Sequence, residues 1–239
     1  MVFEVFLVGA GTALATGLGA LPVALLGTRA ERLRPGLLGI AVGVMAVAAI
    51  WGLLLPALDE GSTGAVAAGL VTGTAFLLVT RRALASSRRG DPAERASILV
   101  FVVLLVHSLP EGFALGTSMA STVDGLALFV VVAIAIQNIP EGTSVAIPMQ
   151  VAGHTGPEMF WAAVGTSIPQ PFGAVIAFVL VEQISGLLPI SFAFAAGAML
   201  ALVLVEVGPD GWRAGKAQAS TGAALGAAGM LALSIALGV

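Results

Sequence analysis

Two hexapeptides repeat one pattern along this chain: His107-Ser108-Leu109-Pro110-Glu111-Gly112 and Gln137-Asn138-Ile139-Pro140-Glu141-Gly142. Each runs polar, polar, apolar, Pro, Glu, Gly. The first polar residue and the Glu stand at i and i+4, so on a helix they share a face. Each Pro removes a backbone N–H and crowds the carbonyl four residues earlier, that of Val106 or Ile136. A freed carbonyl needs a partner, and interrupted helices of this kind commonly build transport sites inside membranes.

One imidazole, two carboxylates and one amide carbonyl make a mixed N/O ligand set that suits Zn²⁺ and neighbouring first-row ions. Two carboxylates balance one divalent cation, and facing each other without one they repel. With no thiolate, the set does not favour a tight, closed structural zinc site. It suits an ion that is bound and then released. Asp124 and Gly125 mark a turn between the two copies, and the spacing matches on both sides. Glu111 and Gln137 are equidistant from Asp124, as are His107 and Glu141. At about 1.5 Å per residue the four side chains lie roughly 20–25 Å from that turn. A lone Glu beside Pro could serve packing or a proton relay, and a lone His could be a satisfied core residue. Two copies at one depth weigh against both.

The elements that carry these residues must be membrane helices. Of 239 residues, 58% are hydrophobic and only 10% charged, against about a quarter charged in a soluble domain. Mean hydropathy is +1.06. This excludes a soluble enzyme and a disordered chain. A net charge of −3 offers no basic stripe, so no nucleic acid is a partner. The absence of Cys excludes disulfides and thiolate metal sites. Turn-forming and charged residues divide the chain into eight apolar stretches, 2–27, 36–58, 63–80, 96–121, 126–149, 157–181, 187–207 and 216–238. Each is long enough to cross as a helix. The connections hold no room for a soluble domain, so 1–239 reads as a single transmembrane domain. The first stretch carries Glu4 and no basic leader, and reads as a retained span.

All ten basic residues fall in connections of one parity. Arg29, Arg32 and Arg34 follow the first span. Arg81, Arg82, Arg88, Arg89 and Arg95 follow the third, where 81–95 reads as a flexible linker. Arg213 and Lys216 follow the seventh. Basic residues gather on the cytoplasmic side, so both termini are expected outside a multi-pass cell-membrane protein. Gly39/Gly43, Gly69/Gly73 and Gly112/Gly116 sit four apart, as expected of closely packed helices in lipid.

The paired Pro-Glu-Gly motifs resemble those of the ZIP (Zrt-, Irt-like protein) transporters, and the similarity covers nearly the whole chain. Gly43-Val44-Met45 with Leu54-Leu55-Pro56 resembles the family's second span, Pro169-Gln170-Pro171-Phe172-Gly173 its sixth, and Gly197-Ala198-Met199-Leu200 with Glu206 its seventh. Membership of the bacterial or archaeal type implies an all-α bundle of eight membrane helices in a 3+2+3 inverted repeat. It also implies a main metal site of His107, Glu111, Gln137 and Glu141 with the Met45 sulfur nearby. The positions of a second site hold Ser108, Asn138 and Gln170, all neutral, so a single main metal site is expected. The resemblance implies uptake of divalent metal, zinc first among Zn²⁺, Fe²⁺, Mn²⁺, Co²⁺ and Cd²⁺, with no organic cofactor.

The remaining polar residues carry weaker signals. Glu206 and Asp210, at i and i+4, read either as an acidic pair on the exit side or as solvated helix-end residues. His154 reads as a solvated loop residue or a transient exit-path ligand. Asp59 and Glu60 read as a solvated turn or a cation-attracting mouth. The partners expected are the metal ion and the lipid bilayer, and a homodimer is left open. Two rivals stand beside the metal transporter. One is a proton- or cation-coupled transporter of an organic solute with Glu111 and Glu141 as proton carriers. The other is an intramembrane metalloenzyme, disfavoured because only one His lies within a span and no H-E-x-x-H occurs. The chain is therefore not read as an enzyme.

Overall fold

Apolar runs of this length can satisfy their backbone groups inside lipid only as helices or closed barrels, and every regular element among the described residues is helical. The computed structural model describes residues 1–85 and 92–239, with the backbone alone at 28, 84, 85, 92–105 and 185. Arg88 and Arg89 lie outside the described residues, as does the side chain of Arg95. The helices are α1 (Val2–Leu18), α2 (Ala20–Leu26), α3 (Arg34–Val47), α4 (Leu55–Glu60), α5 (Thr63–Ala85), α6 (Pro92–Ala120), α7 (Leu126–Val151), α8 (Gly156–Thr166), α9 (Pro169–Gln183), α10 (Leu188–Leu202), α11 (Gly208–Ala214) and α12 (Lys216–Leu237). Seven stretches among the described residues are long and apolar enough to cross a membrane. With α6, 29 residues long, they make a multi-pass membrane protein.

The arginine-rich connection is shorter than the sequence suggests. Instead of a linker over 81–95, residues 81–85 close α5 and 92–95 open α6. Arg side chains can leave a helix end for water along their apolar stems, so a helix need not stop where its apolar run stops.

Four spans depart from a plain helix, in two matched ways. The first span breaks at Gly19 between α1 and α2, and the sixth at Ser167–Ile168 between α8 and α9. Pro22 has no N–H for the Leu18 carbonyl, where α1 ends. Pro169 has none for Gly165, one residue before α8 ends. The second and seventh spans instead widen into π-helical turns, Ala48–Leu54 and Val203–Val207. Pro56 and Pro209 follow them and leave the Gly52 and Val205 carbonyls without their usual donors, and the wider turn absorbs the misfit.

Packing repeats the same symmetry. α3 lies along α12 and α5 along α10, while α6 lies along α9 and α7 along α1. Exchanging the first three spans for the last three, and α6 for α7, maps each pair onto another. The two outer pairs approach closely at their small residues. A Cβ on Gly39 or Gly43 would overlap the α12 backbone at Ala219 or Ala223, and one on Gly69 or Gly73 would overlap α10 at Ile190 or Phe194. Leu53, Phe129, Phe178 and Phe192 fill the core where the pairs meet.

Candidate metal site

The site sits on α6 and α7, which the turn at Asp124 and Gly125 folds back on each other. Gly125 takes φ 80° there, a conformation open to Gly at no steric cost. Both Pro110 and Pro140 lie inside continuous helices, so neither motif ends its helix. Neighbouring spans support both points, and the motif glycines allow it. A Cβ at Gly112 would overlap the Gln170 carbonyl of α9, and one at Gly142 the Thr16 carbonyl of α1. The Gly of each motif therefore draws a flanking helix against the Glu beside it.

Three of the expected ligands meet. Glu111 is 1% exposed and Glu141 5%, and the two carboxyl groups are near enough to act on each other electrostatically. Gln137 donates from Nε2 to Glu111 Oε1 at 2.6 Å. Glu111 Oε2, Glu141 Oε1 and Gln137 Oε1 are buried and have no hydrogen-bond partner. All three orphans are oxygens that can accept. Buried acceptors without donors are costly, and a cation or a proton is what complements them.

His107 is buried one turn before Glu111, and the acid it meets is Glu206. Its Nε2 lies 3.7 Å from Glu206 Oε2. Accordingly, no group of three His, Asp or Glu side chains is gathered as a ready-made chelate among the described residues. Met45 is fully buried within the apolar core.

The positions of the expected second site are engaged in hydrogen bonds between helices. Asn138 Nδ2 donates to the Thr12 carbonyl at 2.7 Å and to Gln170 Oε1 at 3.2 Å. Gln170 Nε2 donates to Thr12 Oγ1 at 3.0 Å, and Ser108 Oγ to the Thr166 carbonyl at 2.9 Å. Thr16 Oγ1 and Ser167 Oγ are 2.7 Å apart and join the broken points of the first and sixth spans. This knot ties α1, α6, α7 and α9 together around the carboxylates. Sequence reasoning missed Thr12 and Thr16. Their signal was available: two hydroxyls at i and i+4 in an otherwise apolar span.

The outlying residues separate. Glu206 lies on the π turn Val203–Val207 and meets Arg81 of α5, with Nε to Oε2 at 3.5 Å. Asp210 is held by Arg213 at 2.9 Å. His154 is exposed in the α7–α8 connection, 3.5 Å from Glu158 Oε2. Asp59 and Glu60 end α4, exposed.

Fold and site together define a polytopic membrane protein with a buried pair of carboxylates. Residues 80–234 match the model of the ZIP zinc transporter family. Zinc transporter GufA of Myxococcus xanthus is 32% identical over 246 residues, covering 96% of this chain and 96% of that protein. Zinc transporter ZIPB of Bordetella bronchiseptica is 33% identical, covering 96% of this chain and 80% of that protein. A putative zinc transporter of Arabidopsis thaliana is 34% identical over 93% of this chain, which spans only 37% of that longer protein. The chain belongs to the ZIP zinc transporter family, a family of transporters rather than enzymes.

Proposed function

We propose that this protein carries divalent metal ions, zinc first, into the cytoplasm through a site held by Glu111, Glu141 and Gln137, with His107 as the ligand next on the path. The observation that carries the reading is the set of three partnerless acceptor oxygens, on Glu111, Glu141 and Gln137, buried at one point between α6 and α7. Two carboxylates match one dication in charge, and carboxylate and carbonyl oxygens accept first-row metals. Family membership and the printed function of the relatives support metal, and zinc, as the cargo. With odd-numbered connections in the cytoplasm, the ion passes from the Gln137 end toward His107. Gln170 Oε1 already accepts from Asn138 and Ser108 Oγ donates to Thr166, and all three positions are neutral, which supports one main metal site over two; Asn138 Oδ1 is the oxygen of this set left without a partner.

Liposomes loaded with a zinc-sensitive dye test this. Wild type should give a zinc-dependent signal, and Glu111→Ala and Glu141→Ala should abolish it. No signal from wild type under any gradient refutes the transport reading, and equal flux in all three refutes the site. A zinc-soaked structure with two fully occupied metals would overturn the single-site reading.

A further inference from the structure

Glu206 is a third acid at the edge of the cluster, which the metal reading leaves unused. Its Oε2 lies 3.7 Å from His107 Nε2 on one side and 3.5 Å from Arg81 Nε on the other. The same oxygen has no hydrogen-bond partner among the described residues. Two ligands held about 2.0–2.2 Å from one tetrahedral zinc stand roughly 3.4 Å apart. His107 and Glu206 are thus spaced almost as co-ligands of a single ion, one step beyond Glu141. A metal leaving the carboxylate pair would meet a ready trap there, were Glu206 free.

Glu206 is engaged by a cation that belongs to the chain. Arg81 is the fixed positive charge of the α5 end, and it also acts electrostatically on His107. A guanidinium stays protonated at any accessible pH, so it leaves Glu206 only by displacement or by movement of its helix. The pair is partly in water, with Arg81 42% and Glu206 21% exposed, and its 3.5 Å contact is longer than a hydrogen bond, so it can open. Asp210 on the following helix is answered in the same way by Arg213.

We propose that Arg81 is a tethered cation that occupies Glu206 in place of a departing metal ion, and so keeps His107 and Glu206 from closing into a second chelate. Arg81 is a positioning residue: it sets where the ion stops. This rests on the reading of Glu111 and Glu141 as the metal site.

The test is zinc stoichiometry after equilibrium dialysis, paired with flux in dye-loaded liposomes. Wild type should hold one zinc per chain. Arg81→Gln should hold two, with flux reduced about tenfold by slow release. Adding Glu206→Gln should return the stoichiometry to one and raise flux above that of Arg81→Gln alone. Arg81→Lys, which keeps the charge, should match wild type in both measures. One zinc and wild-type flux in Arg81→Gln overturn the proposal, as does a double variant indistinguishable from the single. A second readout needs no variant, should Arg81→Gln not fold. Raising potassium nitrate from about 0.05 M to about 1 M screens a partly exposed pair, and wild type should then take up a second zinc. One zinc at both salt levels overturns the proposal. Failure of the underlying metal reading looks different, because wild type itself then binds no zinc.

Discussion

Glu111 and Glu141 each keep one buried carboxyl oxygen without a hydrogen-bond partner. An open buried acceptor is costly unless a cation or a proton complements it. Replacing either by Gln keeps the volume but leaves a single negative charge opposite a dication. Zinc affinity should fall at least tenfold in Glu111→Gln and in Glu141→Gln, equivalent to about 1.4 kcal/mol or more. The measurement is the zinc-induced rise in Tm, which follows ligand affinity. A rise equal to that of wild type in both variants would remove the pair from the binding site. Asn138 belongs to a different class, because its bonds run to α1 and α9. Asn138→Ala leaves Gln170 Oε1 and the Thr12 carbonyl without that donor. It should cost about 1–3 kcal/mol, seen as a lower Tm without zinc, while the shift produced by zinc persists.

Among the elements, the decisive contact is the approach of α1 to α7 at Gly142. A Cβ there meets backbone rather than a flexible side chain, so no rotamer change can make room. Gly142→Val should destabilise by about 1–3 kcal/mol or block folding. Gly64→Val, where a Cβ meets nothing within 4 Å, should stay near wild type. Equal Tm for both would show that the close approach is dispensable. At this scale the sequence was read unevenly. The two motifs, the meeting of Gln137 with Glu111 across the turn and the all-helical membrane fold were legible because each rests on spacing along the chain. The break at Gly19 and the π turns before Pro56 and Pro209 were not. One added residue in a turn barely disturbs an apolar run with no polar stripe to be displaced. The Arg81–Glu206 contact was hidden for another reason. Counting basic residues assigned Arg81 to a connection, whereas the helix carries it on and its long side chain reaches back. His107 lies one turn before Glu111 on α6, but which neighbour it faces depends on the π turn Val203–Val207, a contact that spacing within α6 cannot encode.

For the whole molecule, the pairing of α3 with α12 and of α5 with α10 relates the two halves, and α6 and α7 hold the carboxylates between them. Such halves position a site at their interface near mid-depth. The basic residues predict an orientation across the bilayer, and it can be tested cleanly because the chain has no Cys. In cells, Gly64→Cys should react with a membrane-impermeant maleimide, while His154→Cys should react only after permeabilisation. The opposite pattern would invert the topology and the direction of transport. The two π turns have a consequence in time as well as in space. Each places a wider turn within an otherwise regular helix, at Ala48–Leu54 and at Val203–Val207. Amide protons exchange first where local opening is easiest. Peptides over these two segments should therefore take up deuterium earlier than those over α7, although Ala49 and Leu53 are as buried as Phe129. Simultaneous uptake would mean that the wide turns are as rigid as the helices they interrupt.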